Sequence, residues 1–295
     1  MSRLKHIKSY QIFESEPIRT VFTKEQLNWL DKCVDGSWKY NPQTGLVDVD
    51  GGFKCDEQGL TDFKGVKFGM VKGDFYCDDN QLTSLKGAPQ QVGRGFFCND
   101  NSLTTLEGAP QRIGKAFDCS DNQLTSLVNA PQDVGDHFNC SDNYITSLVG
   151  APQKVWLDFY CGNNQLTSLE GAPHQVGGSF WCEDNQLTTL EGAPHQVGGN
   201  FRCSDNQLTS LEGAPQKVGG IFHCGQNPVT EKTLKEILDY MGMRRSYLDV
   251  VKSRWYLFPL EDQVLLYRPE FEWVGAEERR KLDAMKTYTN IKGMI

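Results

Sequence analysis

Ten cysteines are the residues of this chain with the most evident chemical potential, and they fall at 33, 55, 77, 98, 119, 140, 161, 182, 203 and 224. Thiols can hold zinc, act as nucleophiles when their pKa is lowered, or pair to staple a secreted fold. Their spacing decides among these. The intervals are 22 residues twice and then 21 residues seven times, and a fixed period of that length is the mark of a solenoid. Cysteines in register on parallel coils stand about 4.8 Å apart with their Cβ atoms pointing the same way, whereas a disulfide needs Cβ atoms at ~3.8 Å turned toward each other. No C-x-x-C pair occurs to supply a tetrahedral zinc site. The row is therefore expected to be a line of small buried hydrophobes in a reducing compartment, with no metal and no cofactor.

Other chemically capable residues give way to the same repeat. His6, His137, His174, His195 and His223 accompany no Gly-x-Ser-x-Gly elbow, Walker loop or H-E-x-x-H helix, and His174 and His195 occupy one repeat position. Duplication explains them better than catalysis. Asp79, Asp100, Asp121, Asp142, Asp184 and Asp205 each sit two residues after a cysteine, with Glu57 and Asn163 interrupting the column. An acidic stripe for a basic protein face or for calcium is one reading, but the ligand-dense D-x-D-x-D-G loop is missing. An Asx-type turn recurring with the corner is the favoured one. No catalytic residues are assigned, and the chain is not expected to be an enzyme.

The elements that position these residues follow from the unit F-x-C-x-x-N-x-L-T-x-L-x-G-A-P-x-x-V-G-x-x, seen cleanly from Phe180 to Asn200. Strand alternation turns Phe180 and Cys182 inward and Ser179, Trp181 and Glu183 outward. Phe180, Cys182, Leu187, Leu190, Ala193 and Val197 stack on their counterparts in the next coil, so several coils bury what one cannot. The unit resembles a leucine-rich repeat, with Phe and Cys at the two strand leucines. That resemblance implies a right-handed coil with a parallel β-sheet on the concave face. It also implies that Asn185 and its equivalents at 80, 101, 122, 143, 164, 206 and 227 satisfy backbone groups at a corner. Pro194 and the glycines after it predict an extended return segment, so the convex side is expected to be mostly irregular rather than helical.

The ends depart from the unit and read as helical caps. Thr23 and Gln26 form a capping box, with Phe22 and Leu27 placed as a hydrophobic staple, and a short helix should begin there. The turn at NPQTG between two strand-like runs predicts an edge strand shielding Phe53 and Cys55. Coil one carries Gln58 in the asparagine position and Phe63 where later coils have Leu. From Thr230 the apolar period becomes helical, with Leu234, Ile237, Leu238 and Met241 on one face. Further helical segments are expected around Leu260 to Tyr267 and Ala276 to Tyr288. The expected organisation is a disordered leader at 1–20, an N-terminal cap at 21–52, the solenoid at 53–227 and a helical C-terminal cap at 228–295.

Charge narrows the partners. Residues 51–227 carry 11 basic against 20 acidic side chains within a formal net charge of −8, which disfavours phosphate backbones and anionic membranes. The same argument weighs against reading the two helices around GMRRS as a DNA-binding pair. The words LTSLEGAP, WLDKCVDGSWKYNPQTGLVDVDG and LEDQVLLYRPE resemble leucine-rich-repeat proteins of large tailed, T4-like bacteriophages. The opening LKHIKSYQIFESE is similar to leaders of phage proteins, in which Ile12-Phe13-Glu14 would match a protease site. The resemblance implies a chain acting in the cytoplasm of a bacterial host, or alternatively a structural virion component with a cleavable leader.

Function is sought where the repeat does not repeat. The outward strand column reads Lys54, Tyr76, Phe97, Asp118, Asn139, Tyr160, Trp181, Arg202 and His223. Of these, Tyr76, Phe97, Tyr160, Trp181, Arg202 and His223 are the candidate protein-binding residues, because exposed aromatic and arginine side chains are frequent anchors. Neutral variation with a β-propensity for aromatics is the competing explanation. The expected function is a noncatalytic, monomeric protein-binding module.

Overall fold

The computed structural model describes residues 21–228 and, beyond them, the backbone pairing of residues 265–266. Helix α1 (Lys24–Cys33) opens it with the expected capping box: Gln26 N–H donates to Thr23 Oγ1 and Thr23 N–H to Gln26 Oε1. Phe22 is buried and meets Trp38 and Tyr40 edge-on. Strands β1 (Val34–Asn41) and β2 (Leu46–Lys54) then form an antiparallel hairpin. Asn41 Oδ1 closes its turn by accepting from the Gln43 and Thr44 amides. The hairpin pairs Val34 with Phe53, which covers the edge of coil one as the sequence predicts.

The long strand β2 seeds two ladders. Val47 and Val49 pair in parallel with β3 (Phe68–Val71), while Phe53 and Lys54 pair with β4 (Phe75–Tyr76). From β4 a front ladder continues through β6 (Phe96–Phe97), β8 (Phe117–Asp118), β10 (Phe138–Asn139), β12 (Phe159–Tyr160), β14 (Phe180–Trp181), β16 (Phe201–Arg202) and β18 (Phe222–His223). Every pairing sets Phe on Phe. The phenyl rings therefore form one column with successive centroids 5.2 to 6.0 Å apart. This is a parallel solenoid of the leucine-rich-repeat kind, and the described residues contain little helix.

The return segment is extended, as expected, and more regular than the proline and glycines alone indicate. Its Gln-Val or Lys-Val pairs form a second parallel ladder. β3 leads to β5 (Gln91–Val92), β7 (Arg112–Ile113) and β9 (Asp133–Val134). A separate run joins β11 (Lys154–Val155), β13 (Gln175–Val176), β15 (Gln196–Val197) and β17 (Lys217–Val218). β9 and β11 are not paired, and the cause is one residue. At Gly114, Gly135, Gly177, Gly198 and Gly219 an added Cβ would lie 2.0 to 2.1 Å from a carbonyl oxygen of the preceding coil. Gly177 N–H meanwhile donates to Val155 O at 3.0 Å. Trp156 stands in this column. A side chain cannot enter that space, and the ladder is open there, with Trp156 58% exposed and Lys154 Nζ 3.5 Å from its ring centroid.

Each coil is bound to its predecessor by the corner asparagine. Asn185 Nδ2 donates to Cys182 O and Glu183 O in its own coil and to Cys161 O in the coil before, while its Oδ1 accepts from Leu166 N–H. The same set recurs from Asn80 to Asn227. In coil one, Gln58 is the longer equivalent, and it reaches the cap instead: its Nε2 donates to Cys33 Sγ and its Oε1 accepts from Trp29 Nε1. Phe63 is buried edge-on to Phe68 and Phe75. At the far end, β19 (Leu265–Leu266) pairs antiparallel with β18. These two residues are therefore extended, within a stretch whose apolar spacing reads as helical; the leader and the rest of the C-terminal cap lie outside the described residues.

The cysteines are buried free thiols. Cys161 Sγ donates to Trp181 O at 3.3 Å, and Cys77, Cys98, Cys119, Cys140 and Cys182 make the same bond to the next coil. Burial, and then the neighbouring thiols, push Cys161 and Cys182 well above the ordinary thiol range; burial alone raises Cys224 to about 12. A thiolate nucleophile needs the opposite shift.

Two expectations follow. Cys161→Val, which roughly keeps the volume, should cost less than about 1.5 kcal/mol, while Cys161→Asp should cost several kcal/mol by burying a carboxylate in the stack. Urea unfolding measures both, and native labelling of Cys161 as fast as in the unfolded chain would contradict its burial. In the glycine column, Gly177→Ala should destabilise by about 1–3 kcal/mol because it forces a Cβ onto backbone that cannot yield, whereas Trp156→Ala, where the ladder is already open, should stay within about 1 kcal/mol. Equal effects at the two positions would refute this account of the break.

Candidate functional site

The front ladder fixes the backbone of each coil through the corner asparagine and through strand bonds such as Cys161 N–H to Trp181 O. The side chain between Phe and Cys is left out of those bonds and points to the front face. Six of these were singled out from the sequence, and the structure places them in two groups.

Tyr76 and Phe97 form the first group, their rings stacked at 4.8 Å with 8° between planes, and Lys54 Nζ lies 5.8 Å from the Tyr76 centroid. Tyr160, Trp181, Arg202 and His223 form the second, in register on consecutive strands. Tyr160 meets Trp181 edge-on at 5.2 Å, and the Arg202 guanidinium lies 5.7 Å from the Trp181 centroid. Between the groups, across three rungs of roughly 4.8 Å each, the column is polar and self-satisfied. Asp118 accepts from Ser120 and from Asn139 Nδ2, and Asn139 Oδ1 accepts from Ser141 N–H.

The second group is charged as well as aromatic. Tyr160 O–H donates to Asp158 Oδ2 at 3.1 Å, the same oxygen that His137 Nδ1 approaches at 3.1 Å. Burial and the Asp158 carboxylate raise the Tyr160 phenol to about 12, so it is a neutral donor. Burial, reinforced by the Arg202 charge, lowers the His223 pKa, although Asp205 opposes the shift.

Two further residues, Glu183 and Ser204, lie outside the single column read from the sequence. Trp181 Nε1, Glu183 Oε2 and Ser204 Oγ are sealed from solvent and make no hydrogen bond, and the same holds for Asp78 Oδ1 and His137 Nδ1 on other coils. Glu183 and Ser204 follow the cysteines of adjacent coils. An added Cβ on Gly162 would come within 3.5 Å of Glu183 Cγ and Cδ, so the glutamate folds over the bare backbone of the coil before. Burial raises the Glu183 carboxyl pKa against the lowering effects of a backbone hydrogen bond and of Arg202. Unsatisfied buried polar atoms cost about 1–3 kcal/mol each. The sequence carries a weaker signal there: the position after cysteine runs Asp56, Asp78, Asn99, Ser120, Ser141, Gly162, Glu183, Ser204 and Gly225, five residue types where the strand column has eight.

The aspartate column has a different origin from the Asx-type turn expected of it. Glu57, Asp79, Asp100, Asp121, Asp142, Asn163, Asp184, Asp205 and Gln226 all have φ between +50° and +55°. The corner needs a left-handed residue, and Asp and Asn are the side chains that tolerate one best. The carboxylates crowd as a consequence. Burial first, and then Asp142 and Asp100 on either side, raise the Asp121 pKa; burial and Asp205 raise Asp184. His174 and His195 lie off the strands with ring centroids 6.4 Å apart. Among the described residues no group of three His, Cys, Asp or Glu side chains is arranged to hold a metal ion, and no helix is long and apolar enough to cross a membrane.

No family model matches the chain, and no curated protein matches it. Among solved structures it is similar to the leucine-rich-repeat protein YopM from Yersinia enterocolitica, at 18% identity and a TM-score of 0.38, over 60% of this chain and 52% of that one. The chain thus spans about half the length of that structure. Its architecture is a leucine-rich-repeat-like solenoid on the strength of its own ladders and corners.

Proposed function

We propose that the chain is a noncatalytic protein-binding module whose front face, the one expected to be concave, takes a protein partner through Tyr160, Trp181, Arg202 and His223, with Tyr76 and Phe97 as a second contact. The observation that carries this reading is the contrast between neighbouring columns. Phe repeats at every strand of the front ladder from Phe53 to Phe222 and is buried, while the side chain beside it changes from coil to coil on a backbone whose pairing is constant. Aromatic and arginine side chains gathered on such a surface present large area at low entropic cost and are typical interface anchors. The acidic corner column favours a protein over nucleic acid. A bacteriophage source and action in the host cytoplasm belong to the same proposal and come from the sequence resemblance; a monomeric state is proposed with them.

Tyr160→Ala combined with Trp181→Ala should leave the melting temperature almost unchanged, because Asp118 and Asn139 occupy the same column elsewhere. Partner affinity should fall by on the order of 2 kcal/mol or more for each anchor. Affinity capture from bacterial lysate, followed by titration of the captured protein, measures the loss. His174→Ala with His195→Ala, off the strands, serves as control and should bind as the parent does. A captured partner that binds the Tyr160/Trp181 variant as tightly as the parent would exclude this face.

A further inference from the structure

We propose that Glu183 and Ser204 form a receptor site for a cationic side chain, arginine or lysine, of an extended basic peptide lying on the front face beside Trp181. The proposal rests on the front-face reading and gives its partner a chemistry.

Three observations converge on it. Ser204 is 1% exposed and its Oγ has no partner, although the serine at the same position four coils earlier, Ser120, is bound to Asp118. Glu183 lies beside it on the preceding coil, folded over Gly162, with Oε2 unpartnered. A carboxylate oxygen and a hydroxyl oxygen on adjacent coils, neither of them partnered, are complementary to an ammonium or guanidinium group, which has donors and no acceptor. Trp181 Nε1 supplies the reverse need, a donor without an acceptor, which a main-chain carbonyl of the same peptide meets. The surrounding field has the right sign. Asp184 and Asp205 flank the glutamate on the corner column, and Asp158 lies on the Tyr160 side, whereas Arg202 is the single neighbouring cation known to act on it. Arg202 is exposed and lies over the Trp181 ring, and on this proposal it moves aside to admit the peptide.

The probe is a fluorescein-labelled decapeptide of alternating arginine and serine, with a glutamate-serine decapeptide as its counterpart, followed by anisotropy against the full chain. The arginine peptide should bind and the glutamate peptide should not. Glu183→Gln, which keeps the shape and removes the charge, should weaken binding about tenfold or more, while Glu212→Gln, an exposed carboxylate off the strands, should change it less than twofold. Ser204→Ala gives an independent readout. Because it deletes a buried hydroxyl that nothing satisfies, it should melt no lower than the parent and still bind several-fold more weakly. Failure of the arginine peptide to bind, or equal losses from Glu183→Gln and Glu212→Gln, overturns the cation site. If a captured protein then depends on Tyr160 and Trp181 but not on Glu183, the front face stands without it; if it depends on none of the three, both readings fall.

Discussion

The asparagine corner is the interaction on which the rest of this structure depends. One primary amide donates to three carbonyls and accepts an amide proton, and two of those four contacts cross to the preceding coil. Short two-residue strands cannot by themselves fix how one coil sits on another. The amide does so by linking the cysteine carbonyl and the leucine N–H of the coil before to one rigid group. Buried backbone groups at the corner are satisfied in the same act, which removes a penalty that would otherwise recur at every turn. Phe stacking and the cysteine row then follow as consequences of register.

A device that always reaches backward has nothing to reach at the first coil, and the N-terminal cap is built around that gap. Glutamine replaces asparagine at position 58, and the extra methylene lets the same amide meet Trp29 and Cys33 of α1. Cys33 thereby takes the place of a missing coil's cysteine, which is why it falls 22 residues before Cys55. Strand β2, nine residues long, starts both ladders at once, and the β1 hairpin covers its free edge. Pairing with β19 deals with the opposite edge by the same logic. The cap and the repeat are therefore one continuous hydrogen-bonding scheme.

Much of this was legible because its causes act at a fixed period. The cysteine interval, the Phe and Cys alternation and the corner asparagine each declare one rung, and the capping box declares α1. What escaped has causes that sequence type expresses weakly. Strands of two residues, such as Gln175–Val176, leave no alternation to read, so the back ladder looked like irregular return chain. Aspartate at 184 invites an explanation from its side chain, while the constraint is the φ of its backbone. Trp156 was visible as a break in the glycine column, yet its meaning depends on a contact between coils, a Cβ against a carbonyl, that no single repeat contains. The front-face aromatics were legible as variation; their division into two groups depended on Asp118 and Asn139 satisfying each other.

The same scheme explains why the front face is free to carry a function. Backbone bonds, the asparagine amide and the Phe column hold each coil without help from the side chain between Phe and Cys, so that position can change from Lys54 to His223 with the register intact. Stability selects nothing there beyond β-propensity. Where the face carries a cost, Trp181, Glu183 and Ser204 lie on adjacent coils beside the largest aromatic group, and Asp78 Oδ1 and His137 Nδ1 are two further sites elsewhere. Unsatisfied buried groups are departures from a scaffold whose corners satisfy their backbone at every turn. On the proposed reading, the three departures beside Trp181 are where a partner's donors and acceptors would complete the set.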